Sequence, residues 1–161
     1  MRISKSIKSL QHVFILVEGP SDEVILSNII PRLLGDEYNC HFYVANGFSG
    51  ILSSVKPIMD LTEDAKIVIV YDSDSQMDER IREKLDFVKY HLDYESNKNR
   101  LGIFYFVPAI DVLVPGGWEL ARIKRVSRAE YNNGINKSIV ENFAEISQNE
   151  VIVNIIDFIK K

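Results

Sequence analysis

Val13-Phe-Ile-Leu-Val-Glu-Gly-Pro-Ser-Asp22 and Lys66-Ile-Val-Ile-Val-Tyr-Asp-Ser-Asp74 are the stretches that decide the fold. Each is an apolar run of strand length that ends in carboxylates, Glu18 and Asp22 after the first, Asp72 and Asp74 after the second. Continuous Val/Ile/Leu runs mark strands covered on both faces, as in parallel sheets. Parallel neighbours would bring their C-terminal ends to one edge, where open α/β sheets form their sites. Carboxylates gathered there repel one another unless a cation or a proton sits among them. Hard oxygen donors of this kind suit Mg2+ or Mn2+.

Outward from these stretches the pattern alternates. Ser21 reads as a helix N-cap, with Asp22 and Glu23 in a first turn where the helix dipole favours acids. Ile25, Leu26, Ile29, Ile30, Leu33 and Leu34 make one apolar helix face. Pro31 predicts a kink or a break after Ile30, and Gly35 a stop. Residues 41–45 read as a second strand, 46–50 as a turn and 51–61 as a helix in which Pro57 is an irregularity. Residues 66–71 are the third strand, 77–93 a helix, 95–100 a polar loop and 103–107 a fourth strand ended by Pro108. Such an order predicts an α/β fold with a parallel four-stranded sheet, right-handed crossovers and flanking helices. Further on, 109–114 start a helix that Pro115-Gly116-Gly117 breaks. Residues 118–130 and 135–144 read as helices joined by Asn132-Asn133-Gly134, and 151–159 as a last helix. The expected organisation is a lead-in over 1–12, an α/β domain over 13–114 and a helical C-terminal extension over 115–161 packed on the same domain.

Composition bounds the function. With 46% hydrophobic and 26% charged residues the chain has ordinary globular usage, which argues against disorder. A net charge of −4 excludes a general polycation, so contact with nucleic acid must rest on a local patch, a metal or a partner. Arg122, Lys124, Arg125 and Arg128 fall on about half the wheel of one predicted helix. They are candidate phosphate contacts, with a solvated face as the plainer alternative. Cys40 is the one cysteine, so no internal disulfide forms, and a reducing compartment is expected. Arg2, Lys5 and Lys8 are not followed by an apolar signal core, and no apolar run nears the ~18 residues that span a bilayer. A cytoplasmic location without membrane contact is the expectation. His12, His41 and His91 lack ligand spacing, which predicts no zinc site, and no phosphate-binding P-loop is present.

Taken together, the two opening stretches resemble the Toprim family. That fold is shared by type IA and type II topoisomerases, bacterial primases, a small ribosomal-RNA maturation nuclease and the OLD-type (overcoming lysogenization defect) endonucleases. The family pattern is a strand ending in Glu-Gly, an acid a few residues on, and later a strand ending in Asp-x-Asp. Glu18-Gly19, Asp22 and Asp72-Ser73-Asp74 match it, and the resemblance covers residues 13–108. Topoisomerases and primases usually continue the second motif to a glycine; Asp72-Ser73-Asp74-Ser75-Gln76-Met77 does not. Glu18-Gly19-Pro20-Ser21-Asp22-Glu23 is most similar to the OLD-type form.

The resemblance implies a Toprim-like (Rossmann-like) fold and a metal-dependent nuclease that hydrolyses phosphodiester bonds in DNA or RNA. Asp72 and Asp74 would hold Mg2+ or Mn2+, and Glu18 would complete the metal shell or move a proton. Asp22 matches an acid that contributes to metal binding in OLD-type nucleases, while a helix N-terminal acid is its plainer role. Asp111, in Phe106-Val107-Pro108-Ala109-Ile110-Asp111, stands where OLD-like chains usually carry a glutamate, one methylene longer. Gly47 matches a family glycine after the second strand, serving either turn chemistry or close approach of backbone to a phosphate. By analogy the partners are DNA or RNA and an ATPase supplied by another chain, in phage or plasmid defence; a homo-oligomer stays open. The alternative is a non-catalytic Toprim module that binds nucleic acid or a partner ATPase. A receiver-like protein would need a lysine on the last strand, and residues 103–107 have none.

Overall fold

The apolar runs become one sheet. In the computed structural model, which describes residues 10–114 and 127–161, four parallel strands lie in the order β2-β1-β3-β4. They are β1 (Gln11–Val17), β2 (Tyr38–Val44), β3 (Lys66–Asp72) and β4 (Leu101–Phe106). Three begin earlier than their apolar runs. Gln11 pairs with Tyr38 and His12 with Asn39, so β1 takes in the last two residues of the expected lead-in. Ladder hydrogen bonds use backbone groups and extend past the point where apolar side chains stop.

Side chains alternate between two cores. Val13, Ile15 and Val17 of β1 face α1 (Pro20–Ser27) and α2 (Ile30–Leu34), together with the C-terminal helices. Leu16, Ile67, Ile69 and Tyr71 face α3 (Phe48–Leu61) and α4 (Asp78–His91). The connection after β1 thus leaves to one face and the one after β3 to the other. A Rossmann-like sheet opens a crevice at such a switch point, beyond the C-terminal ends of β1 and β3.

The helices depart from the sequence reading where local chemistry was ambiguous. Gly19, not Ser21, caps α1, because Pro20 is favoured at the first helical position. The break at Pro31 comes earlier than expected, between Ser27 and Ile30, and Pro31 then lies in the first turn of α2. There its missing N–H costs nothing. Helix α3 starts at Phe48, inside the expected turn, and α5 (Tyr94–Asn97) is a short helix within the expected polar loop. Residues Ile110–Leu113 form a 3-10 turn.

The largest correction is at the C-terminal end. Helix α6 (Arg128–Glu141) runs unbroken through Asn132, Asn133 and Gly134, which were read as a joint. Ser127 caps it by accepting from the Glu130 N–H at 3.2 Å, and Ile135 and Ile139 are fully buried in the core. Burial of that stripe outweighs the propensity cost of one glycine, about 1 kcal/mol. Of the expected helix over 118–130, residues 118–126 lie outside the described residues. Helices α7 (Phe143–Ile146) and α8 (Glu150–Lys160) follow, and α8 buries Ile152, Ile155 and Ile159 under the sheet. Among the described residues no helix is long and apolar enough to cross a membrane.

Gly50 fixes how closely α3 approaches the end of β2. A Cβ there would collide with the backbone carbonyl oxygen of Ala45. Gly50→Ala is therefore expected to destabilise the chain by about 1–3 kcal/mol, the usual range for overpacking. Urea unfolding of the variant beside Ser53→Ala, an exposed site on the same helix, is the check; equal stability of the two would refute the close approach.

Candidate functional site

The five candidate acids come from three separate stretches of chain. Glu18 follows β1, Asp22 lies in the first turn of α1, Asp72 ends β3 with Asp74 two residues on, and Asp111 lies in the 3-10 turn after β4. All stand beyond the C-terminal ends of the strands. Glu18 and Asp72 meet directly: the Asp72 N–H donates to Glu18 Oε1 at 2.7 Å. Asp72 Oδ1 in turn accepts from the Ile110 N–H at 2.8 Å, and Asp22 Oδ2 accepts from the Gly19 N–H at 3.1 Å. Backbone donors therefore aim three carboxylates, and the second oxygens of Glu18 and Asp72 have no hydrogen-bond partner among the described residues.

Electrostatics identify the same group. Burial pushes the Asp72 carboxyl up to about 7, the charges of Asp22, Glu18 and Asp74 add to the rise, and the Ile110 N–H opposes it. Burial likewise pushes Asp22 up to about 6, opposed by the Gly19 N–H and raised further by Glu18 and Asp111. Each acid is thus felt by at least one of the others. A carboxylate cluster that holds protons near neutral pH is one that a cation would relieve.

Asp74 is placed differently. It has a left-handed backbone, φ 56°, with its N–H on the Pro108 carbonyl at 2.9 Å. Its side chain is 70% exposed and pairs with Lys84 at 3.3 Å. Gly47 caps α3 at φ 93°, a conformation that favours glycine, and donates its N–H to the Glu18 carbonyl at 2.8 Å. It is a neighbour of the site through the backbone. Arg122, Lys124 and Arg125 lie outside the described residues, and Arg128 is the first residue of α6. The expected basic face is therefore without a described side chain.

Sequence reasoning missed two residues at this edge. Lys84 of α4 donates to the Asp72 carbonyl at 2.6 Å and to Asp74 Oδ2 at 3.3 Å, with its ammonium 4.4 Å over the Phe48 ring. Tyr131 of α6 lies beside Ser21, with Asp22 and Asp111 close enough to perturb it. Burial pushes its phenol up, the Ser21 hydroxyl opposes, and the charges of Asp111 and Asp22 add. Neither had a local signal, since one sits in a mixed-charge helix and the other just before the expected Asn-rich joint. Away from the site, His12 Nδ1 and His41 Nε2 are 2.9 Å apart across β1 and β2, a contact that sequence spacing did not show. Lys66, at the opposite end of β3 from the acids, donates to the Phe158 carbonyl at 2.8 Å. Burial pushes the half-buried Cys40 thiol up.

Hard carboxylate donors, held by backbone N–H groups and short of counter-charge, fit a divalent cation in kind. Among the described residues no three acids, histidines or cysteines converge into a ready metal-binding group, so the fit lies in donor chemistry and charge. No protein-family model and no curated protein matches the chain.

The raised carboxyls set the pH dependence of stability. Asp72 and Asp22 hold protons more tightly folded than at their ordinary value of 3.8, so the folded state binds more protons between about 4 and 7. In the absence of divalent ions their contribution is present below that window and is lost as pH rises through it. Asp72→Asn keeps an acceptor for the Ile110 N–H and removes the charge. It is expected to raise the melting temperature by a few degrees at pH 8 and by much less at pH 4.5. Equal shifts at the two pH values would refute the electrostatic account.

Proposed function

We propose that this chain is a divalent-metal-dependent phosphodiesterase of Toprim type, similar to the OLD-like endonucleases and acting on DNA or RNA. The observation that carries the reading is the contact of Glu18 with Asp72 at 2.7 Å, at the sheet's switch point and within the field of Asp22. It joins the Glu-Gly and Asp-x-Asp stretches at one place, as that chemistry needs.

Asp72, Glu18 and Asp22 are the residues that would hold the metal, Mg2+ or Mn2+, with the charge of Asp111 acting on Asp22. When bound, such an ion neutralises charge on the scissile phosphate and makes water acidic enough to attack near neutral pH. The chain's own part is orientation. Ile110 and Gly19 fix the carboxylates of Asp72 and Asp22 through backbone hydrogen bonds. Glu18, with one oxygen on the Asp72 N–H, has its second oxygen either to complete the metal shell or to take a proton from water. The absence of a closed three-residue group among the described residues favours a second reading, a non-catalytic module that binds nucleic acid or a partner ATPase. Metal-independent binding without cleavage would mark that case.

Glu18→Gln retains an acceptor for the Asp72 N–H and loses the charge. Under the proposed reading, Glu18→Gln and Asp72→Asn each lower Mn2+-dependent cleavage of DNA or RNA by at least about a hundredfold. Their circular dichroism should stay that of the wild type. Undiminished cleavage by either folded variant would sink the proposal.

A further inference from the structure

Strand β4 ends one side of the sheet with half of its backbone unused. The Ile67 N–H donates to the Arg100 carbonyl and the Ser73 N–H to the Phe106 carbonyl. Between them the register is continuous, from Ile67 beside Leu101 to Asp72 beside Phe106. Alternation along the strand therefore turns the N–H and C=O of Ile103 and Tyr105 away from β3. Among the described residues these groups have no partner. Proteins usually guard such an edge with charge, proline, a bulge or a covering element. Residues 101–107, Leu-Gly-Ile-Phe-Tyr-Phe-Val, hold no charge and no proline, and the unbroken register leaves no bulge over 101–106. A groove follows the strand instead. Two clefts of about 520 and 550 Å³ meet at Ile103 and Phe104, between β4 and α8. Val107 and Val112 stand exposed along it.

Charge along this edge changes sign from end to end. Helix α8 runs antiparallel to β4: Glu150 at its start lines the cleft beside Val107, and Lys160 and Lys161 at its end line the cleft beside Gly102. Lys66, its ammonium 4.7 Å from the Phe158 ring, adds to the basic end, and Asp157 is the acid among these lysines. A two-fold axis that lays β4 antiparallel against a second β4 brings the acidic end of each copy to the basic end of the other. Parallel pairing would set like charges together.

We propose that β4 is a dimerisation edge, on which a second copy of this chain pairs antiparallel and joins the two sheets into one. Ile103 and Tyr105 supply the backbone hydrogen bonds, the apolar side chains of 101–107 supply the burial, and Glu150 with Lys160 and Lys161 sets the orientation. The two acidic sites then lie at opposite ends of the joined sheet. This pairing is independent of the metal-dependent reading.

Sedimentation velocity of the full chain tests it. The wild type is expected to dimerise at micromolar concentration, and less tightly as salt rises. Glu150→Lys, and separately Lys160→Glu/Lys161→Glu, each set like charges together at both ends of the interface. With folding checked by circular dichroism, each is expected to weaken the dimer by about tenfold or more. An equimolar mixture of the two should recover the wild-type affinity as a heterodimer, because both ends are then complementary again. Amide hydrogen exchange at Ile103 and Tyr105 should be slow in the wild-type dimer and fast in either variant where it is a monomer. A wild type that stays monomeric would overturn the inference. So would a dimer indifferent to the charge changes, a mixture no tighter than its parts, or fast exchange at both amides within the dimer.

Discussion

The N–H of Asp72 must find an acceptor without a strand beside it. Strand β1 pairs with β3 only from Val13–Lys66 to Leu16–Ile69, whereas β3 continues to Asp72 against β4. Past Ile69 the side of β3 that faces β1 is open, because β1 turns away through Gly19 and Pro20 into α1. A buried backbone donor left there would cost about 1–3 kcal/mol. Glu18 closes the gap by accepting the Asp72 N–H with its side chain. The carboxylate thus ends the sheet and is held at its edge by the same bond. The bond that satisfies the backbone donor also fixes where the Glu18 carboxylate sits.

Everything around this point follows from crowding acids at a place where two connections diverge. Burial and mutual repulsion lift Asp72 and Asp22 toward neutrality, and backbone donors from Ile110 and Gly19 act against that lift without cancelling it. The cluster is destabilised as an isolated piece of protein, a usual condition of sites built for a charged ligand. Lys84 relieves only the outer end. It reaches Asp74 and a main-chain carbonyl and leaves the inner carboxylates uncompensated among the described residues.

The sheet was legible because its strands are buried on both faces and their apolar runs are unbroken, as in Ile67–Val70, fully or almost fully buried. Strand starts were not, since Gln11, His12, Tyr38 and Asn39 extend the ladder beyond the apolar runs. Helix α6 was misread because Asn132-Asn133-Gly134 carries turn chemistry that only the burial of Ile135 and Ile139 overrides. The acids of the site were legible as residues after strands. Their individual placement was not: Asp74, in a left-handed turn, is held by Pro108 and Lys84, from two other elements. Long-range partners of that kind leave no periodic trace.

The C-terminal helices then have a part in the site as well as in the core. Asn28 at the end of α1 donates to Asn136 Oδ1 of α6 at 2.8 Å, and one turn earlier in α6 Tyr131 lies beside Ser21 at the start of α1. Helix α6 therefore lies along α1 in the same direction, with its N-terminal turns nearest the acids. Its position is set by Ile135 and Ile139, which pack into the core that holds Val13, Ile15 and Val17 of β1. Core packing on one face of β1 thereby fixes a phenol beside Asp22, while the end of β1 fixes Glu18 against Asp72. The acidic edge is one consequence of how that strand is buried, and its two walls are registered by the same side chains.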